Sequence, residues 1–122
     1  MLRLAYVNIL LVEDHQDTQR VLATLLQHAG HQIVVASNYS QALRLLVRTQ
    51  ADVLLCDLGL PDGDGLDLVG KAKVLRPGIK TIAVTARASD AEKEIGLKAG
   101  FDHYITKPLN FQVLRALLPT DE

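Results

Sequence analysis

The chain has no tryptophan, two phenylalanines, three tyrosines, four prolines and a single cysteine in 122 residues. Each scarcity excludes something. Aromatics at 4% leave few rings for nucleobases to stack on, and a formal net charge of -1 gives no basic footprint for a phosphate backbone. Nucleic-acid binding by this chain is therefore not expected. A lone thiol, Cys56, has no partner for an internal disulfide, so nothing points to an oxidising compartment. No stretch approaches the roughly 18 to 20 apolar residues of a membrane span. The apolar start up to Val12 is interrupted by Asn8 and ended by Glu13-Asp14, which does not suit a signal peptide. The expectation is a soluble, cytoplasmic chain without membrane contact.

What is present is a hydrophobic content of 48% and a charged content of 22%. That suits one domain able to bury roughly two thirds of the surface its unfolded chain exposes. A second catalytic or DNA-binding domain does not fit. Residues 1–122 read as one domain, with a leader to about residue 6 and a tail from about 119.

Apolar runs alternate with amphipathic stretches. Val7–Val12 is a short, nearly continuous apolar run that stops at acids, as a strand buried on both faces would. Val21, Leu22, Leu25, Leu26 and Ala29 then recur at helical spacing before Gly30. Ile33–Ala36 is strand-like, and Ala42, Leu43, Leu45, Leu46 and Val47 mark the next helix. Val53–Cys56 ends at Asp57 and is followed by a loop dense in turn formers, Leu60-Pro61-Asp62-Gly63-Asp64-Gly65. Leu66, Leu68, Val69, Ala72 and Leu75 predict a helix broken at Arg76-Pro77-Gly78. Ile79–Thr85 reads as a strand, Asp90–Ala99 as a charged helix, His103–Thr106 as a strand and Phe111–Leu118 as a last helix. Strict alternation with short connections predicts right-handed crossovers and a parallel sheet covered by helices on both faces. In such α/β folds the crevice lies outside the carboxyl ends of the strands.

Those ends carry chemistry. They deliver Glu13-Asp14, Asp57, Thr85 and Lys107-Pro108. Three crowded carboxylates repel one another unless a cation sits among them, and hard oxygen ligands with room for water favour Mg²⁺. A carboxylate beside a metal, a lysine and a hydroxyl is a plausible nucleophile toward phosphorus, with the cations neutralising the phosphoryl oxygens.

Ile9-Leu10-Leu11-Val12-Glu13-Asp14, Asp57-Leu58-Gly59-Leu60-Pro61-Asp62-Gly63-Asp64-Gly65, Ala83-Val84-Thr85-Ala86 and Tyr104-Ile105-Thr106-Lys107-Pro108 together resemble the receiver domain of two-component response regulators. The resemblance runs from about Val7 to Leu118. It implies a doubly wound, flavodoxin-like (βα)5 three-layer sandwich with strand order 2-1-3-4-5. It implies that Asp57 accepts a phosphoryl group from a phosphohistidine on a histidine kinase or a histidine phosphotransfer domain. Glu13, Asp14, Asp57 and the Gly59 backbone carbonyl would hold Mg²⁺, and Thr85 and Lys107 would bind the phosphoryl oxygens. Thr85 and Tyr104 would act as the switch that remodels the helix 4/strand 5/helix 5 surface, where a homodimer could form. A cis Lys107–Pro108 bond is implied too, an isomer accessible to proline. Gly59 and Arg87 stand where the family tunes the lifetime of the phosphate. Glycine cannot position an attacking water, and a long arginine can cover the site, so the implied lifetime is long.

Other matches carry less. The stretch from Gly65 to Ala72 nearly fits a phosphate-binding loop, but Ala72 stands where a metal-binding hydroxyl belongs. Asp62-Gly63-Asp64-Gly65 hints at a calcium loop, yet Lys71 falls where the closing Glu should be. Cys56 reads as packing, and His15, His28, His31 and His103 show no metal-ligand spacing. A phosphatase acting on external substrates would want a second acid two residues past its nucleophile, where Gly59 stands. A receiver reduced to a binding module would have lost an acid, the acceptor or the lysine, and none is lost. The output lies outside this chain, and the two ends suit a domain cut from a longer regulator or hybrid kinase slightly better than a stand-alone regulator.

Overall fold

The computed structural model describes residues 6–118. The expected leader, Tyr6 apart, and the expected tail lie outside the described residues. Five parallel strands, β1 (Asn8–Val12), β2 (Gln32–Ala36), β3 (Val53–Cys56), β4 (Lys80–Thr85) and β5 (His103–Thr106), form one sheet in the order β2-β1-β3-β4-β5. The helices are α1 (Gln16–His28), α2 (Tyr39–Arg48), α3 (Gly65–Leu75), α4 (Asp90–Ala99) and α5 (Phe111–Leu117). This is the doubly wound fold expected from the alternation. Among the described residues, no helix is long and apolar enough to cross a membrane.

Alternation along each strand sends neighbouring side chains to opposite faces, and the core is split accordingly. Leu10, Val12, Leu54, Cys56 and Ala83 pack on one face with Ala42 and Leu46 of α2 and Leu68, Val69 and Ala72 of α3. Ile9, Leu11, Val53, Leu55, Ile82 and Val84 pack on the other with Leu22 and Leu26 of α1 and Leu114 of α5. The central strands are buried on both sides, which is why they read as continuous apolar runs rather than alternating ones.

Every helix begins on a side-chain cap: His15, Asn38, Asp64, Ser89 and Asn110 each accept a backbone N–H of the first turn. Ser89 and Glu92 complete a reciprocal capping box. Gly30, just past the end of α1, and Gly100, the C-cap of α4, take φ of 98° and 128°, which only glycine adopts without strain.

Three details differ from the sequence reading. Val7 and Ile79 fall just outside their strands. The loop after β3 holds a two-residue antiparallel ribbon, Gly59–Leu60 with Gly63–Asp64. Finally, Val21, Val47, Leu75 and Val113 fit the helical period yet are exposed. Periodicity identifies an apolar face, whereas exposure depends on whether another element covers it.

Candidate functional site

The ladder continues past the strands and draws their ends together. The N–H of Asp57 donates to the Val12 carbonyl at 3.0 Å, that of Glu13 to the Ala36 carbonyl at 3.0 Å, and that of Lys107 to the Thr85 carbonyl at 2.8 Å. The ends of all five strands are therefore tied along the carboxyl end of the sheet, where four of them deliver the candidate residues.

Lys107 is the centre of the cluster. Its Nζ donates to Glu13 Oε1 and to Asp57 Oδ2, both at 2.8 Å. Burial opposes its charge, but the hydrogen bonds and charges of Asp57 and Glu13 outweigh that and hold the ammonium above its ordinary pKa. The Lys107–Pro108 peptide is cis.

Glu13 is 1% exposed, so its charge must be compensated locally. Oε1 takes the lysine, Oε2 accepts the His15 N–H at 3.1 Å, and the Glu13 carbonyl accepts from Gln19 Nε2 at 2.8 Å. The same Gln19 nitrogen donates to Ser37 Oγ at 3.1 Å, tying α1 to the end of β2. Asp57 is half-buried; its second oxygen, Oδ1, accepts the Gly59 N–H at 3.2 Å. Asp14 is exposed, and Glu13, Asp14 and Asp57 each offer a carboxylate oxygen within 4.8 Å of the others. One ammonium among three carboxylates leaves excess negative charge, and the donors are all hard oxygens. The set fits a hard divalent cation.

Thr85 is buried at the end of β4, where its Oγ1 accepts the Arg87 N–H at 3.3 Å. Among the described residues its hydroxyl makes no hydrogen bond to Asp57 or Lys107. The Tyr104 hydroxyl donates to the Arg87 carbonyl at 2.6 Å. Its ring lies where a Cβ on Gly96 would stand, 2.7 Å from the ring edge, so the place of the ring against α4 depends on that glycine. Burial, then the negative charge of Glu92, raises the Tyr104 phenol above its usual pKa. Arg87 turns its guanidinium to Asp64, Nη1 to Oδ2 at 3.3 Å, bridging the loops after β4 and β3. A Cβ on Gly59 would meet nothing within 4 Å, so the space beside Asp57 is open there.

The structure thus brings Glu13, Asp14, Asp57 and Lys107 together, and sets Thr85, Arg87 and Tyr104 as a hydrogen-bonded group at the adjoining strand end. His15 is the N-cap of α1, its Nδ1 accepting the Thr18 N–H at 3.3 Å. Cys56 is buried, and its thiol donates to the Asp57 carbonyl at 2.9 Å. Burial first, then the charges of Asp57, Asp64 and Glu13, push that thiol's pKa up, which keeps it protonated.

Gln19, Asp62, Asp64 and Gly96 were not singled out as functional from the sequence. Asp62 accepts the N–H groups of Tyr39, at 2.6 Å, and Ser40, at 3.1 Å, at the start of α2. Desolvation pushes its carboxyl up, but the hydrogen bonds from Ser40 and Tyr39 together outweigh that and hold it below the usual range. Turn formers, a discarded calcium-loop match and the family motif mark its segment, but none of them points to α2, because a side chain that reaches another element leaves no local pattern.

Comparison with known proteins agrees with this geometry. The family model described as the response regulator receiver domain matches residues 9–119. An uncharacterised 14.6 kDa protein of Leptolyngbya boryana is 37% identical over 112 residues, covering 90% of this chain and 86% of that protein. The KDP operon transcriptional regulatory protein KdpE of Escherichia coli is 33% identical over 91% of this chain, which spans 49% of KdpE. A crystal structure of a response regulator from Burkholderia pseudomallei, with a phosphorylated aspartic acid, a calcium ion and citrate, superposes with a TM-score of 0.87. It is 30% identical and is matched over 93% of this chain and 67% of that one. The chain belongs to the receiver domain family of two-component response regulators.

Proposed function

We propose that Asp57 is the phosphoacceptor of a two-component phosphorelay, taking a phosphoryl group from the phosphohistidine of a histidine kinase or a histidine phosphotransfer domain. The observation that carries this is Lys107 Nζ standing 2.8 Å from both Asp57 and Glu13. An Asp57 oxygen forms the new O–P bond, the P–N bond breaks, and the histidine nitrogen leaves with the electron pair. The Lys107 ammonium stabilises charge on the phosphoryl oxygens, and Thr85 donates its hydroxyl to another of them once released from the Arg87 amide. Mg²⁺ would be held by Glu13, Asp14, Asp57 and the Gly59 carbonyl, where it neutralises charge during transfer. The domain modifies itself and turns over no external substrate.

Tyr104 and Thr85 share Arg87, one through its carbonyl and the other through its N–H. That supports a switch in which movement of Thr85 is passed to the ring and to the α4–β5–α5 face, the surface available to an output domain or a homodimer. The open space at Gly59 and the Arg87 side chain set the phosphoryl lifetime, and Arg87→Ala should shorten it. We read residues 1–122 as one receiver domain, acting in the cytoplasm alone or within a hybrid kinase or larger regulator.

Incubation with a small phosphodonor and Mg²⁺, followed by intact mass measurement, tests the assignment. A phosphoryl adduct should form, be removed by hydroxylamine and be absent from Asp57→Ala. A wild-type chain that stays unmodified while folded would overturn it.

A further inference from the structure

Helices α2 and α3 pack side by side over the sheet and leave an apolar groove of about 590 Å³ between them. Its walls are Leu43 and Val47 of α2 and Val74 and Leu75 of α3, together with the charged pair Asp67 and Lys71; Val47, Val74 and Leu75 are exposed, whereas Leu43 is half-buried against the core. Val47 is 68% exposed and Val74 80% exposed, against a core in which most aliphatic side chains are sealed. Gly70 lies one turn before Val74, and a Cβ there would meet nothing within 4 Å, so the groove is open at that point as well. Large aliphatic side chains held in water on adjacent helices are unfavourable unless something covers them.

The rim is basic. Arg44 and Arg48 border an adjoining depression that shares Leu43 and Val47 with the groove, and neither makes an ion pair among the described residues. Lys71, on the opposite bank, is 3.4 Å from Asp67 and stands 5.2 Å over the Tyr39 ring. A second copy using the same face would bring two more unpaired arginines to a surface whose one lining carboxylate, Asp67, is already shared by Lys71 and the Tyr39 hydroxyl, so it matches the charge less well. An apolar strip between two helices with unpaired cations on one edge matches instead a helix with an aliphatic stripe and a carboxylate flank.

We propose that the α2–α3 groove docks an acidic amphipathic helix of a partner protein, its aliphatic residues against Leu43, Val47 and Val74 and its carboxylates against Arg44 and Arg48. The site is separate from the phosphoacceptor cluster and does not depend on it.

The test uses two synthetic helical peptides with one leucine stripe, flanked by glutamates in one and lysines in the other. Each is titrated into the isotope-labelled chain and followed by amide shifts. The glutamate peptide should perturb α2 and α3, bind more weakly as salt is raised, and lose about tenfold in affinity in Gly70→Leu and in Arg44→Glu/Arg48→Glu. Gly70→Leu places its side chain in open space and replaces a helical glycine, so the variant should stay folded and still form the phosphodonor adduct. Equal binding of both peptides, perturbation confined to other faces, or affinity unchanged in Gly70→Leu would each overturn the proposal. So would self-association by sedimentation that Gly70→Leu abolishes, which would assign the groove to a second copy.

Discussion

Lys107 and Glu13 lie 94 positions apart in the chain, and the lysine Nζ is 2.8 Å from the carboxylate. The carboxylate is sealed from solvent, so the lysine is its main compensating charge. Lys107→Met should cost about 2 kcal/mol of stability in metal-free buffer, below the cost of breaking a fully buried pair because the lysine is partly solvated. Urea unfolding measures it. An unchanged midpoint would mean that Glu13 is satisfied by its other partners alone.

Asp14 enters no ion pair among the described residues, yet it shares the crowded carboxylate cluster. Asp14→Asn should leave the metal-free chain as stable as wild type or slightly more so, and should lose most of the rise in Tm that Mg²⁺ gives the wild type. Thermal unfolding with and without the ion separates the two effects.

Gly96→Ala sets two forces against each other. Alanine in a helix gains about 0.5–1 kcal/mol over glycine, but its methyl would stand 2.7 Å from the Tyr104 ring. The ring must move, the bond to the Arg87 carbonyl should break, and the net change should be destabilising by about 1 kcal/mol. In Gly96→Ala/Tyr104→Ala the obstacle is gone, and relative to Tyr104→Ala the alanine should stabilise. That reversal of sign in a double-mutant cycle is the check.

Asp64 does two jobs with its two oxygens: Oδ1 caps α3 through the Leu66 N–H at 2.9 Å and Oδ2 meets Arg87. Asp64→Asn keeps the cap and loses only a half-exposed ion pair, a small effect. Asp64→Ala loses both and should cost about 1 kcal/mol more. Equal costs would assign the stabilisation to the ion pair.

His31 is buried beside the start of β1, where its Nδ1 accepts the Val7 N–H at 3.2 Å. Burial lowers its pKa, so the folded chain favours the neutral ring. The unfolded chain then binds more protons between the folded value and about 6.5, so this contribution is complete above that pH and declines below it. His31→Asn should flatten the slope of stability against pH over that window.

The sheet and four of its strand ends were legible because β1, β3, β4 and β5 are short, largely apolar runs that each stop at a residue of the candidate site. Val12 before Glu13, Cys56 before Asp57 and Thr85 at the close of β4 all follow that rule. Less legible were contacts that depend on shape. Gly96 looks like a weak point in a charged helix until the Tyr104 ring is found in the space it leaves. Asp62 reads as a turn residue and proves to hold the first turn of α2. Val47 carries the helical period of a core residue but has no neighbour to cover it.

The single thiol of Cys56 sits next to Asp57, sealed and held in its unreactive protonated form. A maleimide probe should therefore ignore the native chain. One cysteine introduced on α2 or on α4 becomes a unique attachment point, so distances across the molecule can be followed without first removing a native sulfur.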